Sequence, residues 1–256
     1  MSYSVFLDFD GTLLPVGQTQ ISDRTLAVLT DAQAKGHKIF LNTGRALSFL
    51  NVDAFRGFRF DGYLCGSAYI NVRGKVLMAD GLTADETQPI VAHFYGRDVI
   101  VLLEGENTMW AAYDTEGIME KDGMIPLNDM REIFRVCELE PITKMNVLTK
   151  LRDEEDLAFV RQFADPVLRE DENCTELVPK GHDKAYVMNA VVTMLELDPE
   201  TVVAIGDSNN DLPMLDAAPI SVAMGNASDK VKAHAKFVTA SAEQDGVAEF
   251  LEGLLK

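Results

Sequence analysis

The sequence is poor in basic residues and in cysteine. Its 256 residues include 23 Lys and Arg against 41 Asp and Glu, so the formal net charge is -18. Because nucleic acids and anionic membranes are bound through Lys and Arg, we expect neither as a partner. Only three cysteines are present, Cys65, Cys137 and Cys174. Their wide spacing excludes a disulfide framework and a cysteine metal site, which indicates a reducing, cytoplasmic location.

Long apolar runs are also missing. No segment approaches the ~20 apolar residues that a membrane span needs. The first apolar strand, Val5 to Phe9, already contains Asp8, which argues against a secretory signal. Apolar residues make up 47% of the chain and charged residues 25%, a balance typical of globular proteins. The length suits one large domain or two ordinary ones.

Short apolar strands alternate with helical segments at both ends of the chain. Apolar runs of strand length are Val5 to Leu7, Lys38 to Leu41, Tyr63 to Cys65, Val202 to Ile205 and Ile220 to Met224. Predicted helices begin after Ser22, a candidate N-cap, and cover Lys184 to Glu196 and Gly246 to Leu255. This alternation predicts an α/β fold with a doubly wound parallel sheet covered by helices on both faces.

The middle of the chain has a different composition. Residues 83–180 contain 22 acidic and 10 basic residues, a net of -12 against -6 for the remainder. Short β-like runs alternate there with helical stretches. We therefore expect two domains: a core formed by residues 1–82 and 181–256, and an acidic module inserted at residues 83–180.

Two clusters of acidic residues follow apolar strands directly. The first is Asp8-Phe9-Asp10-Gly11-Thr12, and the second is Gly206-Asp207-Ser208-Asn209-Asn210-Asp211. An aspartate within an apolar strand is costly unless it is paired or binds a metal. Ordinary turns are the alternative interpretation: an Asp-Gly turn in the first cluster, and in the second a turn with Asp211 as helix N-cap. A turn does not account for Asp207, which stands at the strand exit before the turn begins.

A third strand exit carries Asn42-Thr43-Gly44-Arg45, whose hydroxyl and backbone N–H groups suit phosphoryl oxygens. Lys184 at the start of a helix is weak evidence alone, because lysines there are usually solvated. In an open parallel sheet, ligands bind at the carboxyl ends of the strands, so Asp8, Thr43 and Asp207 are expected at one site. Clustered carboxylates need a cation, and ligands that are all oxygens suit Mg²⁺.

Together, DxDGT, TGR, the helix-start lysine and GDSxND resemble the motifs of haloacid dehalogenase (HAD) superfamily phosphatases, particularly the Cof-type sugar-phosphate phosphatases. The resemblance covers the core and includes Val222 to Ala227 and Asp245 to Val247. It implies a Rossmann-like core with an inserted α+β cap of the C2 type. One departure is Cys65-Gly66-Ser67-Ala68, where relatives often have Asn-Gly-Ala.

The resemblance also implies roles for individual residues. Asp8 would be the nucleophile, and Asp10 the acid and base that also lends its backbone carbonyl to the metal. The expected metal ligands are Asp8, Asp10 and Asp207, with Asp211 supporting them. The expected phosphate-binding residues are Thr43, Gly44, Lys184 and Asn210.

The implied function is Mg²⁺-dependent hydrolysis of a small phosphorylated metabolite, expected to be a sugar phosphate, through an aspartyl-phosphate, by a monomer or weak dimer. Two alternatives stay open from the sequence. A hexose phosphomutase of the same fold would pass the phosphoryl group to a second sugar hydroxyl. A phospho-accepting regulatory module would use a similar acidic cluster without turnover, although the inserted module and the GDSxND loop argue against it.

Overall fold

The computed structural model describes residues 2–95, 97, 99–113, 123–149, 151–168 and 173–255. The first part of the chain forms β1 (Ser4–Leu7), α1 (Asp23–Ala34), β2 (Lys38–Thr43), β3 (Gly62–Cys65), β4 (Tyr69–Val72) and β5 (Lys75–Ala79). The middle part forms α2 (Ala84–Phe94), β6 (Val101–Glu104), β7 (Met109–Ala112), β8 (Ile125–Leu127), α3 (Met130–Leu139), β9 (Lys144–Val147), α4 (Glu154–Val160), β10 (Asp165–Leu168) and β11 (Thr175–Val178). The last part forms α5 (Lys184–Met194), β12 (Val202–Gly206), α6 (Leu212–Ala217), β13 (Ile220–Ala223), α7 (Asp229–His234), β14 (Phe237–Val238) and α8 (Gly246–Leu254).

The larger sheet has eight strands in the order β14-β13-β12-β1-β2-β3-β4-β5. All pairs from β14 to β3 are parallel, which confirms the predicted doubly wound sheet. The β4–β5 hairpin adds an antiparallel edge and turns at Arg73-Gly74. Because β1 lies between β12 and β2, the residues that follow these three strands are neighbours at one edge of the sheet. We call this the carboxyl edge.

Alternating side chains of the central strands supply a core to each face of this sheet. Val5 and Leu7 of β1 pack in a cluster that contains residues of α1 and α8. Phe6 points to the opposite cluster, which contains residues of α5 and α6, and its ring stacks on that of Phe40 at a centroid distance of 4.8 Å. Both faces are therefore covered, as expected for a parallel sheet. Within the described ranges, no helix is both long enough and apolar enough to cross a membrane.

The smaller sheet has six strands in the order β10-β11-β9-β6-β7-β8 and a separate apolar cluster with residues of α2, α3 and α4. The chain passes into this unit after β5 and returns to the larger sheet through α5. All six strands lie within residues 83–180. The boundaries of that segment as an inserted domain stay a prediction.

Several hydrogen bonds between described residues join the smaller unit to the larger one, and three of them lie near the carboxyl edge or the β4 strand. Ser48 Oγ donates to the carbonyl of Gly105 at 2.8 Å, and Tyr69 Oη donates to a carboxylate oxygen of Glu106 at 2.6 Å. Lys144 Nζ donates to a backbone carbonyl near the carboxyl edge, described below. The two units enclose a cavity of about 420 Å³ over the carboxyl edge.

The start of α8 allows no side chain beyond hydrogen. A Cβ at Gly246 would lie 2.0 Å from the Ala240 carbonyl oxygen, whereas one at Gly253 in the same helix would meet no heavy atom of the described residues within 4 Å. We expect Gly246→Ala to lower the free energy of unfolding by roughly 2 kcal/mol or more, because the backbone at Ala240 would have to move to make room for the new Cβ. The matched control Gly253→Ala should raise it by up to about 1 kcal/mol. Urea unfolding measures both, and equal stability of the two variants would contradict this packing.

Candidate active site

Three carboxylates meet at the carboxyl edge. Asp8 follows β1, and its backbone N–H donates to the carbonyl of Ile205 in β12 at 3.0 Å. This pairing places Asp8 beside the loop after β12. Oxygen atoms of Asp8, Asp207 and Asp211 consequently lie within 4.8 Å of one another.

Lys184 brings one positive charge into this cluster. It is the first residue of α5 and is 1% exposed. Its Nζ donates to Asp8 Oδ1 and to Asp211 Oδ1, both at 2.5 Å. Burial alone would lower the pKa of Lys184, but the attraction of Asp211 and Asp8 outweighs burial and raises it. Lys184 is therefore a permanent cation beside the Asp8 carboxylate.

One ammonium does not balance three carboxylates. Burial, followed by repulsion from Asp211, raises the pKa of Asp8 well above its ordinary value despite Lys184. The same two causes raise the pKa of Asp207 to about 6. The excess negative charge and the oxygen-only donor set suit a hard divalent cation. The cluster is thus compatible with a divalent metal, although the carboxylate of Asp10 is not part of it.

Asp211 also shapes the loop that carries Asp207. Its buried carboxylate accepts hydrogen bonds from the backbone N–H groups of Asp207 and Ser208, both at 2.9 Å. Asp211 therefore closes the turn and borders the carboxylate cluster. It precedes α6, but its side chain makes no capping hydrogen bond to that helix.

Asp207 is oriented by residues from two other loops. Thr12 Oγ1 donates to Asp207 Oδ1 at 3.2 Å, and Asn226 Nδ2 donates to Asp207 Oδ2 at 3.3 Å and to the carbonyl of Gly11 at 2.8 Å. Gly11 has φ +77°, and a Cβ there would lie 2.4 Å from Asp207 Oδ2. Only glycine permits this approach. No role for Asn226 could be inferred from the sequence, although this residue follows the strand exit of β13.

Asp10 is held apart from the carboxylate cluster by an arginine. Arg45 Nε and Nη2 donate to the two carboxylate oxygens of Asp10, both at 2.7 Å. The guanidinium carbon of Arg45 lies 5.3 Å from the ring centroid of Phe9 and 5.2 Å from that of Phe49. Arg45 belongs to the TGR motif, but its partner could not be inferred from the sequence.

The candidate phosphate-binding residues line the cavity, except Lys184, which lies behind Asp8. Thr43, Gly44 and Asn210 border the cavity together with Asp8 and Asp10. A Cβ on Gly44 would lie 3.1 Å from Asn210 Nδ2, so the glycine allows the loops after β2 and β12 to approach closely. The structure thus brings hydroxyl, amide and backbone groups to the space in front of Asp8.

The opposite wall of the cavity belongs to the smaller unit. Its residues are Leu102, Glu104, Met109, Met124, Lys144, Asn146, Leu148, Cys174 and Glu176. Lys144 Nζ donates to the carbonyl of Gly44 at 3.0 Å and thereby contacts the loop after β2. No sequence motif marks this wall, because its residues converge only in the folded sheet.

Comparison with known proteins agrees with this architecture. The family model described as haloacid dehalogenase-like hydrolase matches residues 5–251. Two proteins of Bacillus subtilis (strain 168), both named 5-amino-6-(5-phospho-D-ribitylamino)uracil phosphatase, are similar over nearly their whole length. YitU is 28% identical over 98% of this chain and 96% of its own. YcsE is 27% identical over 96% of this chain and 92% of its own.

Solved structures show the same arrangement. BT1666 of Bacteroides thetaiotaomicron, a HAD-superfamily phosphatase, superposes with a TM-score of 0.83 at 27% identity, covering 99% of this chain and 95% of its own. The HAD subclass IIB sugar phosphatase BT4131 superposes with a TM-score of 0.82 at 25% identity, covering 99% of both chains. With a family model that spans nearly all of its residues, this chain belongs to the haloacid dehalogenase-like hydrolases and is a phosphatase of the Cof type.

Proposed function

We propose that this phosphatase hydrolyses a small phosphorylated sugar or sugar alcohol through an aspartyl-phosphate on Asp8. The observation that carries the proposal is the placement of the Asp8 carboxylate: it borders the cavity, pairs with Lys184 at 2.5 Å and adjoins two further carboxylates. The names of the relatives support the substrate class, since two act on a phosphoribityl compound and one on sugar phosphates. Residues 83–180 act in this proposal as the cap that selects the substrate.

In the first step, the Asp8 carboxylate attacks phosphorus and the ester oxygen leaves with its electron pair. Asp10 gives that oxygen a proton, after exchanging one of its Arg45 hydrogen bonds for one to the leaving group. In the second step, water attacks the phosphoryl group on Asp8 and Asp10 accepts the proton of that water. The products are the alcohol and inorganic phosphate, and Asp8 is restored.

Phosphoryl transfer needs positioning and charge stabilisation more than covalent help. Lys184 offsets negative charge beside Asp8. Thr43, Gly44 and Asn210 border the cavity and offer a hydroxyl, a backbone N–H and an amide to the phosphoryl oxygens. These groups are preorganised, so they reorganise little during the reaction.

Mg²⁺ would be held by the carboxylates of Asp8 and Asp207 and the backbone carbonyl of Asp10, with Asp211 in support. When bound, the ion supplies two positive charges, which offset the repulsion between a phosphate dianion and the Asp8 carboxylate. The raised pKa values of Asp8 and Asp207 support this assignment, because a bound cation would offset the burial and the repulsion from Asp211 that raise them.

Replacing the nucleophile tests the mechanism. We expect Asp8→Asn to lower kcat by about 10⁴-fold or more, because a neutral amide is a poor nucleophile. Phosphate release from p-nitrophenyl phosphate with Mg²⁺ measures this loss. Asp229→Asn, an exposed residue at the start of α7, is the matched control and should keep wild-type kinetics. Substantial turnover by a folded Asp8→Asn protein would contradict the assignment of the nucleophile.

The metal site can be tested through stability. Because Asp207 holds its proton more tightly in the folded than in the unfolded state, its contribution to stability falls as pH rises from about 4 to about 6. In EDTA at pH 7.5, Asp207→Asn should therefore be more stable than wild type by roughly 1–3 kcal/mol, and at pH 4 the two should converge. Urea unfolding at the two pH values measures the difference.

Adding Mg²⁺ should offset the stability advantage of Asp207→Asn. At 100 times its Kd, the ion should stabilise wild type and the Asp229→Asn control by about 2.7 kcal/mol at pH 7.5, and Asp207→Asn much less. Equal stabilisation of all three proteins would remove Asp207 from the metal site.

The products of the reaction distinguish the proposed hydrolase from a phosphomutase. We expect one inorganic phosphate for each sugar phosphate consumed, because water is the acceptor in the second step. Colorimetric phosphate detection combined with chromatography of the sugars measures this ratio. Conversion to an isomeric sugar phosphate without phosphate release would favour the mutase.

A further inference from the structure

Glu104, the last residue of β6, has an incomplete set of hydrogen bonds. Its side chain is 2% exposed and lines the cavity that Asp8 and Asp10 border from the other side. Its Oε1 accepts a hydrogen bond from Asn146 Nδ2. Its Oε2 is buried and has no hydrogen-bond partner among the described residues. Because a buried carboxylate oxygen that accepts no hydrogen bond is costly, this atom is suited to accept one from a ligand.

Lys144 forms an ion pair with Glu104 Oε2 but donates no hydrogen bond to it. Its Nζ lies 3.5 Å from Glu104 Oε2 and 3.7 Å from Glu176 Oε1, while it donates to the Gly44 carbonyl at 3.0 Å. Among the described residues that line this wall of the cavity, the charged side chains are two carboxylates and one ammonium, with a formal charge of -1. Such a wall repels a second anionic group on a substrate, because charges act strongly in a site shielded from water.

The rest of this wall is apolar. Leu102, Met109, Met124 and Leu148 surround the charged residues, and the cavity holds about 420 Å³. This volume suits a metabolite-sized ligand. A carbon chain can contact the apolar side chains while its hydroxyl or amino groups donate to Glu104.

We infer that Glu104 is a specificity-determining residue. Its Oε2 accepts a hydrogen bond from a hydroxyl or amino group on the leaving group, and the net negative wall rejects leaving groups that carry a carboxylate or a second phosphate there. The inference rests on the proposed function, since it concerns the alcohol that is released when Asp8 is phosphorylated. Specificity then has two sources: hydrogen bonding favours substrates with a donor group, and charge repulsion disfavours substrates with a second anionic group.

Matched substrates test the inference on the full chain with Mg²⁺. Sorbitol 6-phosphate and 6-phosphogluconate differ only at C1, the chain end opposite the phosphate. This carbon is a hydroxymethyl group in the first compound and a carboxylate in the second. Glycerol 3-phosphate and 3-phosphoglycerate form a shorter pair of the same kind. We expect wild type to prefer the neutral member of each pair at least tenfold in kcat/KM. This comparison requires no variant, so it holds whether or not a substituted protein folds.

Glu104→Gln then identifies the residue responsible. For this variant, kcat/KM for sorbitol 6-phosphate, divided by that for p-nitrophenyl phosphate, should fall at least tenfold. The ratio of its kcat/KM for sorbitol 6-phosphate to that for 6-phosphogluconate should also fall. The variant has lost one negative charge, and the amide of its new side chain can donate a hydrogen bond to the substrate carboxylate. Glu138→Gln, on the exposed surface of α3, is the matched control and should keep the wild-type ratios.

The outcomes separate the inference from the function it rests on. Equal or reversed preference within the pairs overturns it, as do unchanged ratios in a folded Glu104→Gln protein. Hydrolysis of p-nitrophenyl phosphate without hydrolysis of any polyol ester also overturns it, while leaving the phosphatase mechanism intact. Failure to hydrolyse every ester removes the proposed function and this inference together.

Discussion

The buried ion pair between Lys184 and the carboxylates of Asp8 and Asp211 is the interaction on which the site depends. Burying a carboxylate is costly without a partner, and the partner comes from α5, far from Asp8 in the sequence. The parallel pairing of β12 with β1 places Asp8 and Asp211 together at one edge, where the start of α5 brings Lys184 to both. The fold therefore concentrates negative charge where, in the proposed function, a phosphate ester also binds.

The two sheets contribute different kinds of side chain to the cavity. The carboxyl edge of the larger sheet carries charged groups, held by hydrogen bonds and by close contacts such as that of Gly11 with Asp207. The smaller sheet faces it with apolar side chains and a few charged ones. The residues nearest Asp8 suit any phosphomonoester, so in the proposed function the opposite wall discriminates between alcohols.

Much of this arrangement could be predicted from local sequence patterns. The apolar runs and the N-cap at Ser22, whose side chain accepts from the Thr25 N–H, identify strands and helices because those signals lie within a few residues of one another. The strand exits carrying Asp8, Thr43 and Asp207 follow from the parallel sheet. The Arg45–Asp10 pair and the bridge from Asn226 to Asp207 could not be predicted, because each depends on which of several loops meet. Glu104 and Lys144 belong to the same class, since neither stands in a motif.

The hydrogen bond from Lys144 to the Gly44 carbonyl has a consequence for the energetics of ligand binding. It joins the selective wall directly to the loop bordering the phosphate position, so the position of one cannot change without breaking a contact to the other. Thermodynamic reciprocity then requires that a phosphoryl group which rigidifies the loop also favours the docked position of the wall. In the proposed function, an alcohol that fits the wall would conversely strengthen the binding of phosphate. Recognition of the two halves of the ester would then be cooperative within a single chain.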